Sequence, residues 1–387
     1  MKSCGIIVEY NPFHNGHRYH VEMARKITGA EVVIAVMSGN FLQRGEPAII
    51  DKWHRANEAL QNGVDLVVEL PVEWAVQSAD YFAKGAVKIL QTLDCDSLCF
   101  GTEEETSFDY SSFGRFVQEN QDRIEEAFQE LSDQTYSYPQ KMTEVFRSLY
   151  PDITLDFSSP NHILGLSYAK ENAKYVHPME LHPIRRKSAG YHEKIITDQR
   201  IASATAIRHA LEEGKRIAGL VPPQTEEDLS TCSLQTWESY WPYLRYRLLS
   251  STLLELTDIY QMTEGIESRM KTAAATADSF EDFVSKVKTK RYTWTRIQRL
   301  SCYVLLNIKK QEIPVQQNKN YLRLLGFTDA GRRFLKEKKE ISIYSRIGKK
   351  EAQEAELLVR SDQIYQLGGN IPEQNFGQIP IRVWIID

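Results

Sequence analysis

Short, unbroken apolar runs alternate with longer amphipathic stretches over residues 3–102. Apolar runs of this length with helix-like segments between them are typical of buried parallel strands in βαβ units. The linking segments 15–29, 51–62 and 76–93 have the apolar spacing of helices. We therefore expect four parallel strands joined by helices. The apolar runs are CGIIVE (4–9), EVVIAVM (31–37), DLVVELP (65–71) and SLCFGT (97–102).

The same pattern returns further along the chain. Residues 105–150 are polar and aromatic, have helical spacing and lack a strand-like run, which predicts a helical insertion. After it, 159–170 begins with the helix-start signal Ser-Pro-Asn, MELHPIRR (179–186) resembles a fifth strand, and a helix over 203–214 ends at a glycine. Five strands with helical crossovers predict an α/β fold with a doubly wound, Rossmann-like parallel sheet over residues 1–220.

The composition changes after the fifth strand and its helix. The proline pair and acidic run of GLVPPQTEED (219–228) predict a linker, and the leucine-rich spacing of 235–312 predicts helices. The mixed stretch 313–387 contains the strand-like segments EISIYS and IPIRVWIID. We expect it either to form a small α/β subdomain or to pack on the helices. The second domain, 229–387, is thus predicted to be mainly helical and basic.

Net charge, cysteine content and the length of the apolar stretches limit the classes of protein to which this chain can belong. The 387 residues carry a formal charge of −5, so contact with a polyanion has to come from a local basic patch. Five scattered cysteines suit reduced thiols, the N-terminal segment lacks a secretory cleavage signal, and no apolar stretch approaches the roughly 18 residues of a membrane span. We expect a cytoplasmic protein without membrane contact, and the sequence gives no sign of a stable protein partner.

Three histidines follow the first predicted strand, in EYNPFHNGHRYH (9–20). The turn has neither the G-x-G-x-x-G of dinucleotide-binding folds nor a Walker loop. His14 and His17 instead enclose Gly16 at a predicted helix start, where backbone N–H groups and the helix dipole favour an anion. The imidazoles add further donors. This arrangement suits charge stabilisation during attack at an α-phosphate with pyrophosphate leaving.

Two other interpretations of the histidines stay open at this point. Their spacing also fits the exposed face of an amphipathic helix. His14, His17 and His20 could contribute to a metal site, but no Cys or acidic residue follows at a spacing typical of a fourth ligand. Their place directly after the first strand favours the phosphate-binding interpretation, and we predict no protein-bound metal.

This position makes the turn 14–17 similar to the H-x-G-H signature of the nucleotidyltransferase and class I aminoacyl-tRNA synthetase superfamily, whose members bind ATP. Such domains carry a second phosphate element late in the chain, a Ser/Thr-rich helix start followed by Arg. IASATAIRHAL (201–211) matches it, with hydroxyls at Ser203 and Thr205 and a cation at Arg208. The alanine between the two hydroxyl residues departs from the pattern, and Ser203 could equally be an ordinary helix cap.

Several further segments carry a more specific resemblance. They are EYNPF (9–13), MSGNFLQRGEPAIIDKWHRANEAL (37–60), FGTE (100–103), SPNHILGLSYAK (159–170), IRRKSAGYH (184–192) and KTKRYTWTRIQRL (288–300). Through them the chain closely resembles the bacterial tRNA(Met) cytidine acetate ligase family over nearly its whole length. That family activates acetate with ATP as acetyl-adenylate and transfers the acetyl group to N4 of the wobble cytidine of elongator tRNA(Met). The resemblance implies ATP, carried as Mg-ATP, together with acetate and elongator tRNA(Met) as partners.

The resemblance also assigns site residues by motif. Gly101 would leave room for ribose or adenine, although a tight turn would also need glycine. Asn161 would contact the ligand or cap a helix. The loop 38–47, which carries Arg44, is a candidate lid. Catalysis is assigned to His14, His17 and Arg208, and ATP binding to Ile7, Val8, Glu9, Tyr10, Asn11, Pro12, Phe13, His14, Asn15, Gly16, His17, His20, Gly101, Asn161, Arg186, Ser203 and Thr205.

One segment independently supports an RNA partner. Residues 284–310 contain eight Lys or Arg and no Asp or Glu, with aromatic residues between them. Basic side chains contact phosphates, and aromatic faces stack on unpaired loop bases. The alternative is a solvated basic helix face whose aromatic side chains belong to the core. The predicted tRNA-binding residues are Lys288, Lys290, Arg291, Tyr292, Trp294, Arg296 and Arg299.

Two other functions stay open from the sequence. A nucleotidyltransferase acting on a small phosphorylated metabolite would use the same turn, but it has no need of the basic helical extension. A non-catalytic RNA-binding protein on a degenerate nucleotide-binding fold would need neither histidine. The presence of His14, Gly16, His17 and Arg208 together disfavours that possibility.

Overall fold

The computed structural model describes residues 1–103, 108–131, 138–150, 159–186, 202–338 and 341–384. The strands are β1 (Ser3–Val8), β2 (Val32–Ser38), β3 (Leu66–Leu70), β4 (Ser97–Thr102), β5 (Glu180–Arg185), β6 (Leu322–Thr328), β7 (Ile343–Tyr344) and β8 (Ile381–Val383). The helices of the N-terminal half are α1 (Asn15–Thr28), α2 (Lys52–Gln61), α3 (Val72–Ala75), α4 (Ala79–Thr92), α5 (Tyr110–Glu119), α6 (Gln121–Glu130), α7 (Tyr138–Leu149), α8 (Pro160–Asn172) and α9 (Ala204–Glu212). Those that follow are α10 (Pro223–Thr231), α11 (Trp237–Ser250), α12 (Leu253–Thr257), α13 (Ile266–Thr276), α14 (Phe280–Val287), α15 (Trp294–Leu305), α16 (Glu312–Gln317), α17 (Asp329–Glu337), α18 (Lys349–Glu354) and α19 (Glu356–Tyr365).

The strands form one sheet in the order β5-β4-β1-β2-β3-β6-β7, with β8 paired to β6. β1 to β5 are mutually parallel and are the five strands that the sequence predicts. The chain runs from β1 through β2 to β3 on one side, and then crosses to β4 and β5 on the other side. The prediction of a doubly wound α/β fold is therefore confirmed. The strand order changes direction between β1 and β4, where such sheets bind ligands.

Both faces of the sheet are covered, which explains why the apolar runs are unbroken. All side chains of β2 and β3 are buried. On one face, Val21 of α1 and Ala56 of α2 share a core with Ile6. On the other face, Phe82 of α4 and Leu166 of α8 share a core with Ile34. Strands buried on both faces need apolar side chains in both directions, and this removes the alternation of a half-exposed strand.

The helix boundaries follow local capping signals. α1 begins after His14, whose side chain accepts a hydrogen bond from the N–H of Gly16, and ends at Gly29 with a φ of 65°. Asp51 caps α2 in the same manner. The helix predicted over 76–93 corresponds to α4 and is preceded by the short helix α3, which was not predicted, while the predicted insertion contains α5, α6 and α7.

The segment predicted to be a linker is packed instead. Leu220, Val221 and Leu229 share a small core with Ile49 and Ile50. The carbonyl of Leu220 accepts a hydrogen bond from the backbone N–H of Asn15, at 3.1 Å. The prolines of this segment begin α10 rather than form a spacer, because proline fits the first turn of a helix.

The C-terminal region packs on the helices in part, as one of the two expectations has it, because Leu357 and Tyr365 of α19 share the core of the helical region. Its strands do not form a separate subdomain. β6 pairs antiparallel with β3, and β7 and β8 pair with β6, so residues after 320 extend the N-terminal sheet. The predicted helices between 235 and 312 are confirmed as α11 to α15, packed around a core that includes Trp241, Phe283 and Tyr303. Within the described ranges, every helix is too short or too polar to traverse a bilayer.

Candidate active site

A cavity of about 370 Å³ opens at the carboxyl ends of β1, β4 and β5. It lies beside the point between β1 and β4 where the strand order reverses, which is where doubly wound sheets bind their ligands. Most of the residues that the sequence assigns to ATP or to catalysis line it. They are Ile7, Val8, Glu9, Tyr10, Asn11, His14, Gly16, His17, His20, Gly101, Asn161, Arg186, Ser203, Thr205 and Arg208.

Three assigned residues support the turn instead of facing the cavity, namely Pro12, Phe13 and Asn15. Phe13 is fully buried and packs against the rings of Tyr10 and His17. The Asn15 side-chain amide donates a hydrogen bond to the carbonyl of Gly219, at 2.7 Å. The turn is thereby fixed to the segment that precedes α10.

His14 and His17 cap the N-terminus of α1 with their ring nitrogens. Nδ1 of His14 accepts a hydrogen bond from the N–H of Gly16, at 3.0 Å, and Nδ1 of His17 accepts one from the N–H of His14, at 3.2 Å. An imidazole nitrogen that accepts carries no proton, so each neutral ring holds its proton on Nε2. The rings stack with centroids 3.7 Å apart. Both can therefore offer an Nε2–H donor to a ligand in the cavity.

The histidines are kept neutral by their surroundings. Burial and the nearby Arg186 and Arg208 lower the pKa of His14 to about 3. Burial and neighbouring positive groups also hold the pKa of His17 well below its ordinary value, and burial with Arg186 lowers that of His20 to about 4. His14 is only 3% exposed, and the half-buried His17 and His20 line the same cavity, so the three do not form an exposed helix face. In the described ranges, no three His, Cys, Asp or Glu side chains are grouped so that they could hold a metal ion.

These lowered pKa values predict that the protein loses stability on mild acidification. Below pH 6.5 the unfolded chain protonates His20, whereas the folded chain does so only near pH 4. The unfolded state then binds more protons, so the free energy of unfolding falls as the pH falls. The slope is about 1.4 kcal/mol per pH unit for one histidine. We expect His20→Asn to flatten the pH dependence between pH 6.5 and 5 by about that slope, measured by urea unfolding.

A matched control for this prediction is His177→Asn, because His177 is exposed on the surface. It should leave the pH dependence of the unfolding free energy unchanged. Equal slopes for the wild type and His20→Asn would contradict the prediction.

Two polar atoms in the cavity wall have no hydrogen-bond partner in the described part of the chain: the hydroxyl of Tyr10 and Nε2 of His20. Tyr10 is 1% exposed and adopts a φ of 54°, which non-glycine residues seldom do. A buried hydroxyl without a partner is unfavourable by about 1–3 kcal/mol. Both atoms therefore favour a polar ligand in the cavity.

The second predicted phosphate element faces the same cavity. Ser203 Oγ caps α9 by accepting a hydrogen bond from the N–H of Ala206, at 3.1 Å, so the capping role is present. Arg208 donates to the carbonyl of Asn11, at 2.7 Å, and its guanidinium lies 3.7 Å from the carboxylate of Glu46. The N-termini of α1 and α9 thus meet at one cavity, and both favour negative charge there.

Gly101 and Asn161 have neighbours that the sequence does not reveal. A Cβ at Gly101 would lie 3.2 Å from Cγ of Arg186, so glycine leaves the space that this arginine occupies. Ser159, and not Asn161, caps α8. The amide of Asn161 and the hydroxyl of Ser159 both donate to the carboxylate of Glu103. The later residues of the IRRKSAGYH segment, 187–192, lie outside the described residues.

The loop 38–47 borders the cavity through three side chains. The sequence analysis named one of them, Arg44, as part of a candidate lid and did not assign the other two. Gln43, Arg44 and Glu46 contribute to the wall. The loop is held by contacts on both sides, because the N–H of Gln43 donates to Glu9 and Gly45 packs against the backbone of Arg299. Further cavity residues that the sequence motifs did not indicate are Tyr19, Phe82, Leu164, Tyr168, Ile184, Arg185, Ala202 and Ala204.

The basic segment is only partly a free surface. Lys288, Lys290 and Arg291 are exposed. Tyr292 is 8% exposed and its hydroxyl donates to the carbonyl of Glu264, so its expected stacking on RNA is wrong. Burial of this ring in the helical core explains the difference.

The arginines of the segment have partners inside the protein. Exposed Arg291 and half-buried Arg296 form ion pairs with Glu264, which precedes the segment over which the charges were counted. Half-buried Arg299 donates to the carbonyl of Gln77, and Trp294 packs against the helical core. The exposed cations among the predicted residues are therefore Lys288, Lys290 and Arg291.

Comparison with known proteins identifies the family. The HIGH Nucleotidyl Transferase family matches residues 1–378. A tRNA(Met) cytidine acetate ligase of Streptococcus uberis is 44% identical over 389 residues, covering 99% of this chain and 99% of that protein. The enzyme of the same name from Geobacillus sp. is 42% identical over 349 residues, covering 88% and 87%. The chain belongs to the tRNA(Met) cytidine acetate ligase family. The resemblance drawn from the sequence motifs is confirmed.

Solved structures of the family support the same placement. The apo form I of Thermotoga maritima TmcAL superimposes with a TM-score of 0.90 at 30% identity, covering 99% of this chain and 100% of that one. A second crystal form of TmcAL, bound with alpha-thio ATP, gives a TM-score of 0.88 with the same identity and coverage. The family fold therefore includes the C-terminal strands as well as the helices.

Proposed function

We propose that this chain activates acetate with ATP as acetyl-adenylate and transfers the acetyl group to N4 of the wobble cytidine of elongator tRNA(Met). The observation that carries the proposal is full-length membership of a family whose curated members have that name. The H-x-G-H turn, lining a cavity at the expected edge of the sheet, supplies its physical basis. A cytoplasmic location, as expected from the sequence, would give the enzyme access to tRNA and ATP.

The phosphates of ATP would bind between the two helix N-termini. His14 and His17 would donate from Nε2–H, and Arg186 and Arg208 would supply positive charge. As the acetate oxygen attacks the α-phosphate and pyrophosphate leaves, negative charge builds on the phosphate oxygens. Donors fixed in place by capping bonds stabilise that charge without reorganisation. Magnesium would accompany the ATP phosphates.

The nucleoside would occupy the side of the cavity near β4 and β5. Gly101 lines the wall there beside Arg186, while Leu164 and Ile184 add apolar surface. Asn161, oriented by Glu103, would provide a polar contact at the edge of the base or ribose. A mostly apolar pocket with a few fixed polar groups is typical of adenosine-sized ligands.

For the tRNA, we retain the exposed cations of the basic segment as phosphate contacts. Lys288→Ala with Lys290→Ala should raise KM for tRNA several-fold and reduce the salt dependence of binding by about one unit per lysine. Acetyl-adenylate formation should not change, because neither lysine lies at the cavity. Steady-state kinetics at several salt concentrations measure both effects. Lys26→Ala, at an exposed position on α1, is the matched control, and an unchanged KM for the double variant would refute this surface.

The proposed function is tested with purified protein, ATP and labelled acetate, followed by a transcript of elongator tRNA(Met). We expect acetyl-adenylate first and then N4-acetylcytidine at the wobble position, detected by mass spectrometry of nuclease fragments. Incorporation of AMP into a phosphorylated metabolite, without use of acetate, would support the small-molecule nucleotidyltransferase instead. Binding of tRNA without turnover of ATP would support the non-catalytic alternative.

A further inference from the structure

The cavity wall carries side chains of both charge signs. Arg186 and Arg208 lie there with the N-termini of α1 and α9, and after burial they are the causes that lower the pKa of His14. Two carboxylates, Glu9 at the end of β1 and Glu46, also line the wall, and that of Glu46 lies 3.7 Å from the Arg208 guanidinium. Carboxylates repel the phosphates that the arginines suit. Glu9 is therefore suited to a different group of the reacting molecules.

Glu9 is held in place with one oxygen and leaves the other available. Its Oε1 accepts a hydrogen bond from the backbone N–H of Gln43, at 2.7 Å, and its Oε2 takes none from the described part of the chain. The Arg55 guanidinium lies close by but donates to the backbone carbonyl of Glu9, at 2.6 Å, and not to its carboxylate. Desolvation, followed by the repulsion from Glu46, raises the pKa of Glu9, whereas Arg44 and Arg55 oppose this shift.

Glu46 is less suited to bind a ligand, because its own contacts engage both oxygens. Oε2 lies 3.7 Å from the Arg208 guanidinium, and Oε1 accepts a hydrogen bond from the side chain of Gln298, at 3.4 Å. Tyr10 follows Glu9 in the chain, but its ring packs against Phe13 and His17, and its buried hydroxyl lacks a partner among the described residues. Of the two carboxylates in the cavity wall, Glu9 is therefore the one with an oxygen available to a hydrogen-bond donor of the ligand.

We propose that Glu9 binds the exocyclic N4 amine of the target cytosine and accepts its proton during acetyl transfer. This inference rests on the proposed function, and it assigns to Glu9 the binding of the acetyl acceptor, the cytosine, in the same cavity. A carboxylate is the side chain that pairs with the N4 amino group of cytosine, which donates hydrogen bonds.

The transfer step then balances as follows. The N4 nitrogen attacks the carbonyl carbon of acetyl-adenylate and forms the new N–C bond. The bond from that carbon to the phosphate oxygen breaks, and its electron pair leaves with AMP. The proton of the amine moves to the Glu9 carboxylate, whose pKa, raised by burial, makes it a better base than an exposed glutamate. Activation of acetate needs no such base, because acetate attacks as an anion.

The two half-reactions therefore separate the role of Glu9 from that of the ATP-binding residues. Glu9 lines the cavity that ATP enters, so we expect Glu9→Gln to slow acetyl-adenylate formation as well, but far less than acetyl transfer. Acetate-dependent exchange of labelled pyrophosphate into ATP measures the first step. Acetyl transfer to the tRNA transcript should fall by about 10²-fold or more relative to that step. The glutamine oxygen can still accept the N–H of Gln43, so the loop keeps its anchor. Hydroxylamine, which needs no protein base, should capture the acetyl group as fast from the acetyl-adenylate of the variant as from that of the wild type.

Two further variants make the experiment decisive. Glu9→Asp retains a carboxylate and should recover part of the transfer that Glu9→Gln loses. Glu22→Gln, at an exposed position on α1, should match the wild type in both half-reactions. Transfer by Glu9→Gln at the wild-type rate, or an equal loss in both half-reactions, would overturn the assignment. Absence of both half-reactions in the wild type would instead refute the proposed function.

Discussion

Replacing His14 by Asn and His17 by Gln in one chain is expected to slow acetyl-adenylate formation by about 10³-fold or more. The substitutions are chosen to preserve the helix start. An Asn side chain caps through its oxygen, and Gln at the third position of a helix completes a capping box. The side-chain oxygens can therefore replace the two Nδ1 acceptors that the structure shows. What the variant loses is the pair of Nε2–H donors that, in the proposed function, would bind the phosphates of ATP.

The expected loss of rate is inferred from hydrogen-bond donors of the same kind in other enzymes. Loss of one hydrogen-bond donor to a developing negative charge slows a reaction by about 10²–10³-fold. The two rings stack on each other, so we expect their effects to be non-additive and each single variant to lose about 10²-fold. Pyrophosphate exchange into ATP measures the step directly.

The control is His177→Asn, which removes an exposed imidazole. It should retain full activity, and thermal unfolding should confirm that the double variant is folded. A folded double variant within tenfold of the wild-type rate would show that the histidines position the turn without stabilising the reaction.

The sequence predicted the sheet of the N-terminal half because its signal is local. β1 to β4 are short, mainly apolar runs, and β2 and β3 are buried along their whole length. β5, at the edge of the five parallel strands, is half-exposed and has a mixed sequence. The C-terminal strands carry a weaker signal. β8 has three residues, and β6, although mostly apolar, joins the sheet through antiparallel pairing with β3, more than 250 positions away. The predicted linker was wrong for a similar reason, since its burial depends on Ile49 and Ile50.

The site residues likewise divide into those that local motifs predicted and those that depend on distant partners. The H-x-G-H turn and the second phosphate element are short motifs whose residues reach one cavity because parallel strands end at the same edge of the sheet. Glu103, Gln43 and Glu46 were missed as site residues because their roles come from partners distant in sequence. Tyr292 illustrates the opposite error, since a pattern of basic and aromatic residues does not indicate which rings face the core.

The second large effect concerns a buried charge cluster behind the site. Nζ of Lys52 lies 2.8 Å from the carboxylate of Glu69 and 2.6 Å from that of Asp362, and all three side chains are at most 3% exposed. The cluster joins α2, β3 and α19. Asn40, in the loop 38–47, donates to Asp362 and accepts from the backbone N–H of Lys52, so the cluster also supports the cavity wall.

Lys52→Met should lower the free energy of unfolding by about 3–5 kcal/mol, because it leaves two buried carboxylates with only Arg323 to balance them. Urea unfolding followed by tryptophan fluorescence measures the loss. The matched control is Lys174→Met, which removes an ion pair with Glu171 in which the lysine is 46% exposed. A surface pair of this kind contributes about 0–1 kcal/mol, so the control should be nearly as stable as the wild type.

A double variant separates the effect of charge balance from that of shape. The cluster includes a second buried cation, Arg323, which interacts with both carboxylates. Lys52→Met with Glu69→Gln removes one cation and one anion and leaves Asp362 and Arg323 to balance each other. Breaking a buried ion cluster is strongly destabilising, whereas removing opposite charges together is often close to neutral. We therefore expect the double variant to regain most of the free energy that Lys52→Met loses. If Lys52→Met alone stays within about 1 kcal/mol of the wild type, the carboxylates must take up protons at little cost. The cluster would then hold α2, β3 and α19 in place without stabilising the fold.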